Sequence, residues 1–188
     1  MRLRRWIDVK RMACLLLPAC LLFGLLSCGH RDLPPVSAET VLQAMLKAAP
    51  HPQGSSRSLS TSPEAGGLTP TLLSALYGAT AEKWIREGEF SVIDDAALFL
   101  SEAMHPFELA VFRCVDEGDV SGGMASVLGV CSGRLDLIKK AWSDSAYETC
   151  TQQGRVTFFD AYVILVVAED PDPIIKAAKK AIQKGSAP

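Results

Sequence analysis

Residues 162 to 168 read Tyr-Val-Ile-Leu-Val-Val-Ala, seven consecutive residues without a charge. β-Branched side chains suit a pleated strand, and successive strand residues point to opposite faces. A strand that is apolar on both faces cannot border water on either. This run therefore belongs in the middle of a sheet, under a helix. The rest of the chain must supply its neighbours and its cover.

The candidates for neighbours are two hairpins. Arg155 to Phe159 precedes the central run by a two-residue link, Asp160-Ala161, and reads as its partner. Phe90 to Leu100 and Phe107 to Val115 are rich in apolar and β-branched residues and are joined by Ser101 to Pro106. Between the hairpins, Gly118-Asp119 opens a long helix. Its stripe of Val120, Met124, Val127, Leu128, Cys131, Leu135, Ile138 and Trp142 recurs every three or four residues and should lie along the sheet. Asp172 caps a final helix with Pro173 at its first position, and Ile174, Ile175, Ala178 and Ile182 line its buried side.

Shorter helices come first. Ser37 caps one that runs to about Ala48, with Glu39 in its first turn and Val41, Leu42, Met45 and Ala48 on one stripe. Thr69-Pro70 starts another, with Leu72, Leu73, Leu76 and Tyr77 apolar and Gly78 as the stop. A short turn from Thr80 to Arg86 packs Trp84 and Ile85 onto the domain. His51 to Gly67 is rich in Ser, Gly, Pro and Thr without a period, and reads as a mobile loop. The expected fold is α+β. It has a four-stranded, mainly antiparallel sheet of two hairpins, with the long and C-terminal helices packed on one face.

The amino terminus carries a different signal. Arg2, Arg4, Arg5, Lys10 and Arg11 precede an apolar run from Leu15 to Leu26. That run falls well short of the roughly 20 apolar residues a spanning helix needs. Leu25-Leu26-Ser27-Cys28 closes it, in the layout of an export signal. These residues resemble the lipobox of bacterial lipoproteins. The resemblance implies that Cys28 becomes the mature amino terminus and carries a diacylglycerol thioether. A second small-residue site, Leu17-Pro18-Ala19-Cys20, would cut the apolar run to a few residues. An ordinary signal peptide with Cys28 incidental is disfavoured by Leu25, where such signals prefer a small residue. The expected organisation is a signal peptide over 1–27, a lipidated tether over 28–38 containing Pro34-Pro35, and one domain over 39–188 with its loop at 51–67. The expected location is the outer face of the cell membrane, held by acyl chains such as palmitate, two of which anchor stably where one does not.

Composition narrows the chemistry. Residues 1 to 27 hold five of the 19 basic and one of the 21 acidic residues, which leaves the remainder at about −6. An acidic domain argues against nucleic acid as a partner. Lys176, Lys179, Lys180 and Lys184 crowd the last helix, as a solvated face or as a membrane contact. Cys114, Cys131 and Cys150 are spaced by 17 and 19 residues, which matches no metal knuckle and leaves any disulfide pairing open. His30, His51 and His105 look dispersed. No metal site, cofactor or catalytic residue is indicated. Asp94 and Asp95 are adjacent, so a regular strand would point them to opposite faces, as at a solvated strand end or a bulge. Gly129 and Gly133 cost helix propensity, and close packing on the sheet is the ordinary reason for them.

Three stretches resemble a clostridial lipoprotein family known as domain of unknown function 4358. They are Glu-Leu-Ala-Val-Phe-Arg at 108 to 113, Arg134 with the Tyr147 region, and Tyr-Val-Ile-Leu-Val-Val-Ala-Glu-Asp at 162 to 170. The similarity spans about Leu68 to Ile182, and the Ser/Gly-rich loop and the glycines of the long helix depart from it. It implies a fold and a lipoprotein lifestyle but no activity. Glu108 starts a strand and Arg134 sits beside the buried stripe. They would form an ion pair between sheet and helix, or Arg134 would hold a ligand carboxylate. The leading expectation is a non-enzymatic, membrane-tethered binding or interaction domain for an envelope protein or a small ligand. A small cell-envelope hydrolase with an unfamiliar site is the alternative.

Overall fold

The computed structural model describes residues 35–185, apart from 49, 79–80, 82–83, 85–91, 103 and 116–119. The expected signal peptide, Cys28, most of the expected tether, Gly118-Asp119 and most of the expected Thr80 to Arg86 turn lie outside the described residues.

The apolar run forms β5 (Tyr162–Val167), buried along its whole length between β3 (Glu108–Cys114) and β4 (Arg155–Phe159). The link to β4 is the two-residue turn, with Asp160 in the left-handed region at φ 52°. β2 (Ile93–Ser101) pairs with the other side of β3, and β1 (Gly54–Ser58) pairs with β2. Every pairing is antiparallel and the order is β1-β2-β3-β5-β4.

The sheet thus has five strands, not the expected four. The fifth, β1, comes from the segment read as an aperiodic loop. Gly-Ser-Ser-Arg-Ser shows no alternation of its own, and it becomes a strand because β2 has a free edge to pair with. Gly54 is required there. A Cβ at that position would lie 2.4 Å from the Leu100 carbonyl oxygen and 2.4 Å from the Phe99 ring.

The α-helices bounded within the described residues are α1 (Ala38–Leu46), α2 (Pro70–Tyr77), α3 (Val120–Ala141), α4 (Glu148–Gln152) and α5 (Pro171–Gly185). Ser37 and Thr69 cap α1 and α2 through their hydroxyls, as their sequences predict. α5 starts earlier than expected. Asp170 rather than Asp172 accepts the capping amide, from Asp172 at 3.3 Å, and Pro171 takes the first helical position.

Strand parity distributes these helices over both faces of the sheet. Ala110, Phe112, Val163 and Leu165 face α2 and α3, in a core with Leu73, Trp84, Val127, Cys131 and Leu135. Leu109, Val111, Ile164 and Val166 face α1 and α5, packing on Val41, Leu42, Met45, Ile174 and Ile182. The long and C-terminal helices therefore lie on opposite faces, which corrects the expectation of one face. The central strands are apolar on both sides, so one covered face would leave the other wet. Helices sandwich the sheet.

Gly129 and Gly133 are exposed on α3, with no heavy atom within 4 Å of where a Cβ would stand. Close packing is not their reason. Cys114, Cys131 and Cys150 are free and buried. Among the described residues, no helix is long and apolar enough to cross a membrane.

Candidate functional site

Glu108 opens β3 on the same face as Ala110 and Phe112, beneath α3, and its side chain is only 4% exposed. A carboxylate buried without partners would be prohibitive. Two helices supply them. The Tyr77 hydroxyl, at the end of α2, donates to Oε1 at 2.8 Å. Arg134, in the middle of α3, donates from Nη2 to Oε2 at 2.7 Å and from Nε to Oε2 at 3.2 Å. The structure thus brings Glu108 and Arg134 together. It adds Tyr77, which periodicity alone places as an apolar helix residue. The available signal was its hydroxyl, which needs a partner when the ring is buried.

Electrostatics keep Tyr77 and Arg134 in their donor roles. Burial, aided by the Glu108 charge, pushes the Tyr77 hydroxyl well above its ordinary range, so it stays protonated. Burial works against the Arg134 charge, but Glu108 more than offsets this and holds the guanidinium cationic.

Arg134 and Glu108 line a cleft of about 310 Å³ whose walls include Leu76, Leu100, Ile138 and Trp142. That volume is at the small end for ligand pockets, which run from roughly 300 to 1,000 Å³. His105 and Phe107 form another side. The Phe107 amide donates to His105 Nδ1 at 3.1 Å. A neutral ring accepting at Nδ1 carries its proton on Nε2. The ring of His105 lies 4.4 Å from Tyr147, and Tyr147 lies 5.6 Å from Trp142, a row of rings whose two ends, His105 and Trp142, line the cleft.

A second cleft, of about 320 Å³, lies across His105 and Phe107 and is bounded by His51, Cys150, Glu169 and Asp170. The histidines are therefore less dispersed than the sequence suggests. His51 and His105 both approach the Phe107 ring, at 6.2 and 6.5 Å. The chemistry here does not favour a thiolate nucleophile. Burial pushes the Cys150 thiol up to about 11, whereas reactive cysteines are shifted down. Among the described residues, no three His, Cys, Asp or Glu side chains are grouped to hold a metal.

The opposite end of β3 is occupied differently. Arg113 Nε pairs with Asp94 at 2.6 Å and its Nη1 lies 4.0 Å from Asp95. The same guanidinium reaches the Val36 carbonyl at 3.3 Å, and the Tyr162 hydroxyl donates to that carbonyl too. Asp95 is buried and accepts the Ala38 amide at 2.7 Å. The acidic pair is thus not a solvated strand end. A register shift between Ile93 and Asp95 lets both carboxylates serve Arg113. Pro35 to Ala38 is clamped at one end of β3 on the α1 face, while Glu108 lies at the other end on the α3 face. Five strand steps separate them, about 17 Å.

No protein-family model, curated protein or solved structure matches the chain.

Proposed function

We propose that this chain is a membrane-tethered extracytoplasmic lipoprotein, lipidated on Cys28, whose domain binds a ligand at the Glu108–Arg134 cleft. The lipobox-like Leu25 to Cys28 and the preceding apolar run support the anchor. The resemblance to the clostridial lipoprotein family supports the same reading. The observation that carries the binding role is the Arg134 guanidinium, held by the buried Glu108 carboxylate and lining a cleft of about 310 Å³. The cleft offers hydrogen-bond donors and apolar walls; Ser101 and His105 also line it, and that hydroxyl and imidazole are what the hydrolase reading would draw on.

Fractionation of cells expressing Cys28→Ser tests the anchor. Loss of lipid labelling and release from the membrane are expected, and a variant processed and membrane-bound like the parent would refute it. A substrate screen over esters, peptides, glycosides and phosphates tests the binding role. Turnover abolished by one side-chain substitution would replace it with the small envelope hydrolase.

A further inference from the structure

An arginine has five N–H donors arranged in a planar fork with two edges that each fit a carboxylate. Glu108 occupies the side edge of Arg134, through Nε and one N–H of Nη2. The end edge remains, with one N–H of Nη1 and one of Nη2, and the last N–H of Nη1 lies beside it. These have no hydrogen-bond partner among the described residues, and the Arg134 side chain is 24% exposed where it lines the cleft. Glu108 cannot turn to meet that edge, because Tyr77 holds its other oxygen.

Among the side chains that line the cleft, Arg134 and His105 are donors, while Ser101 can donate or accept. Both Glu108 oxygens are already taken up by Tyr77 and Arg134. His105, which borders this cleft and the second one, accepts the Phe107 amide at Nδ1 and so keeps Nε2 as its donor. Leu76, Ile138 and Trp142 supply apolar wall. A ligand complementary to this surface carries a planar anionic head and a compact apolar body. A cation would meet unpaired N–H groups, and a fully apolar ligand would leave the guanidinium edge desolvated.

We infer that the cleft is a receptor site for a small carboxylate with an aromatic body, its carboxylate gripped end-on by Arg134 and its ring set against Trp142. This rests on the binding role proposed above and names its ligand class. Glu108 and Tyr77 are positioning residues: they fix the guanidinium plane, so the second carboxylate meets a fork already oriented. Bidentate charge-assisted bonding of this kind is stronger and more directional than bonding to neutral groups.

Calorimetric titration of the full chain in detergent micelles tests the assignment, with phenylacetate as the probe and phenylacetamide as its neutral counterpart. Saturable phenylacetate binding is expected, with the amide at least about tenfold weaker. Arg134→Lys keeps a cation for Glu108 but loses the end edge, and should erase the preference for the acid. Circular dichroism checks that this variant is folded, and the acid–amide comparison on the parent stands without it. Equal affinity for acid and amide would overturn the carboxylate assignment while leaving a binding cleft. An acid preference that survives in folded Arg134→Lys would overturn the role of Arg134. No saturable binding of either probe would also overturn the assignment, and the anchor would still be judged separately by the Cys28→Ser fractionation.

Discussion

The Asp95 carboxylate accepts the backbone amide of Ala38 at 2.7 Å, across 57 residues of sequence, and so ties the first turn of α1 to the irregular start of β2. The first amides of a helix have no intrahelical acceptor. Ser37 satisfies the Thr40 amide from within the segment, and Asp95 satisfies Ala38 from the sheet. The junction between the expected tether and the domain is thereby part of the fold.

Asp95→Ala should lower stability by about 1–2 kcal/mol, in the range of a lost helix cap. Asp95→Asn should cost less, because its amide oxygen can still accept. Asp94→Asn should change stability by about 1 kcal/mol or less, since the Asp94 side chain is 45% exposed and surface pairs contribute little. Urea titrations of the three variants check the order. An Asp94 effect as large as that of Asp95→Ala would contradict the capping role.

The Glu108 network should respond unequally to its removal. Arg134→Ala leaves a buried carboxylate with only Tyr77, and should cost about 3–5 kcal/mol. Tyr77→Phe removes one hydrogen bond to a charged group, worth about 1.5–3 kcal/mol. The double substitution Glu108→Leu with Arg134→Leu should recover much of the loss, because the orphaned charge goes with its partner. Chemical denaturation decides it. A double variant as unstable as Arg134→Ala would show that the pair itself, rather than the orphaned charge, sets the cost.

Much of the architecture was legible because it repeats at a structural period. The stripe from Val127 to Ile138 and the unbroken run of β5 needed only periodicity to place them in the core. Periodicity says that a helix is covered on one side, but not which face of the sheet covers it, so the split of α3 and α5 was not readable. β1 escaped for a different reason: its five residues owe their conformation to the partner strand. Within the site, Glu108 stood out as an acid among apolar strand residues and Arg134 as a cation beside a buried stripe. Tyr77 and His105 did not, because their roles depend on approaches between segments 31 or more residues apart and on a ring row that only folding assembles. The sequence leaves Asp94 and Asp95 between a solvated strand end and a bulge, and the register shift between Ile93 and Asp95 is the second of these.

The glycines of the domain should divide sharply under substitution. Gly129→Ala and Gly133→Ala meet open space on an exposed helix face, and each should stabilise by up to about 1 kcal/mol. Gly154→Ala would place a Cβ 2.7 Å from Leu135 Cδ1 and 3.0 Å from the Thr151 carbonyl oxygen, and should destabilise. Thermal melts of the three single variants test this. Destabilisation by both α3 substitutions would mean that this face packs against something in the native protein.

Alkaline pH should weaken the fold through its buried thiols. Burial raises Cys114 and Cys150 to about 11, above the roughly 8.5 of a thiol in an unfolded chain. The native state therefore retains protons that the unfolded state has released, so stability falls with rising pH in that interval. Their contribution is complete below about pH 8.5 and is lost progressively as pH climbs toward 11. Cys131 is shifted in the same direction by its deeper burial, and Tyr77 and Tyr162, also raised, add to the decline above about pH 10. Urea midpoints measured at pH 7, 8.5 and 10 should stay level across the first interval and drop across the second. Cys114→Ala should lower the midpoint at pH 7 but reduce the drop, because one of the retained protons is gone. A midpoint unchanged from pH 8.5 to 10 would show that these thiols ionise as freely in the folded domain as in the unfolded chain.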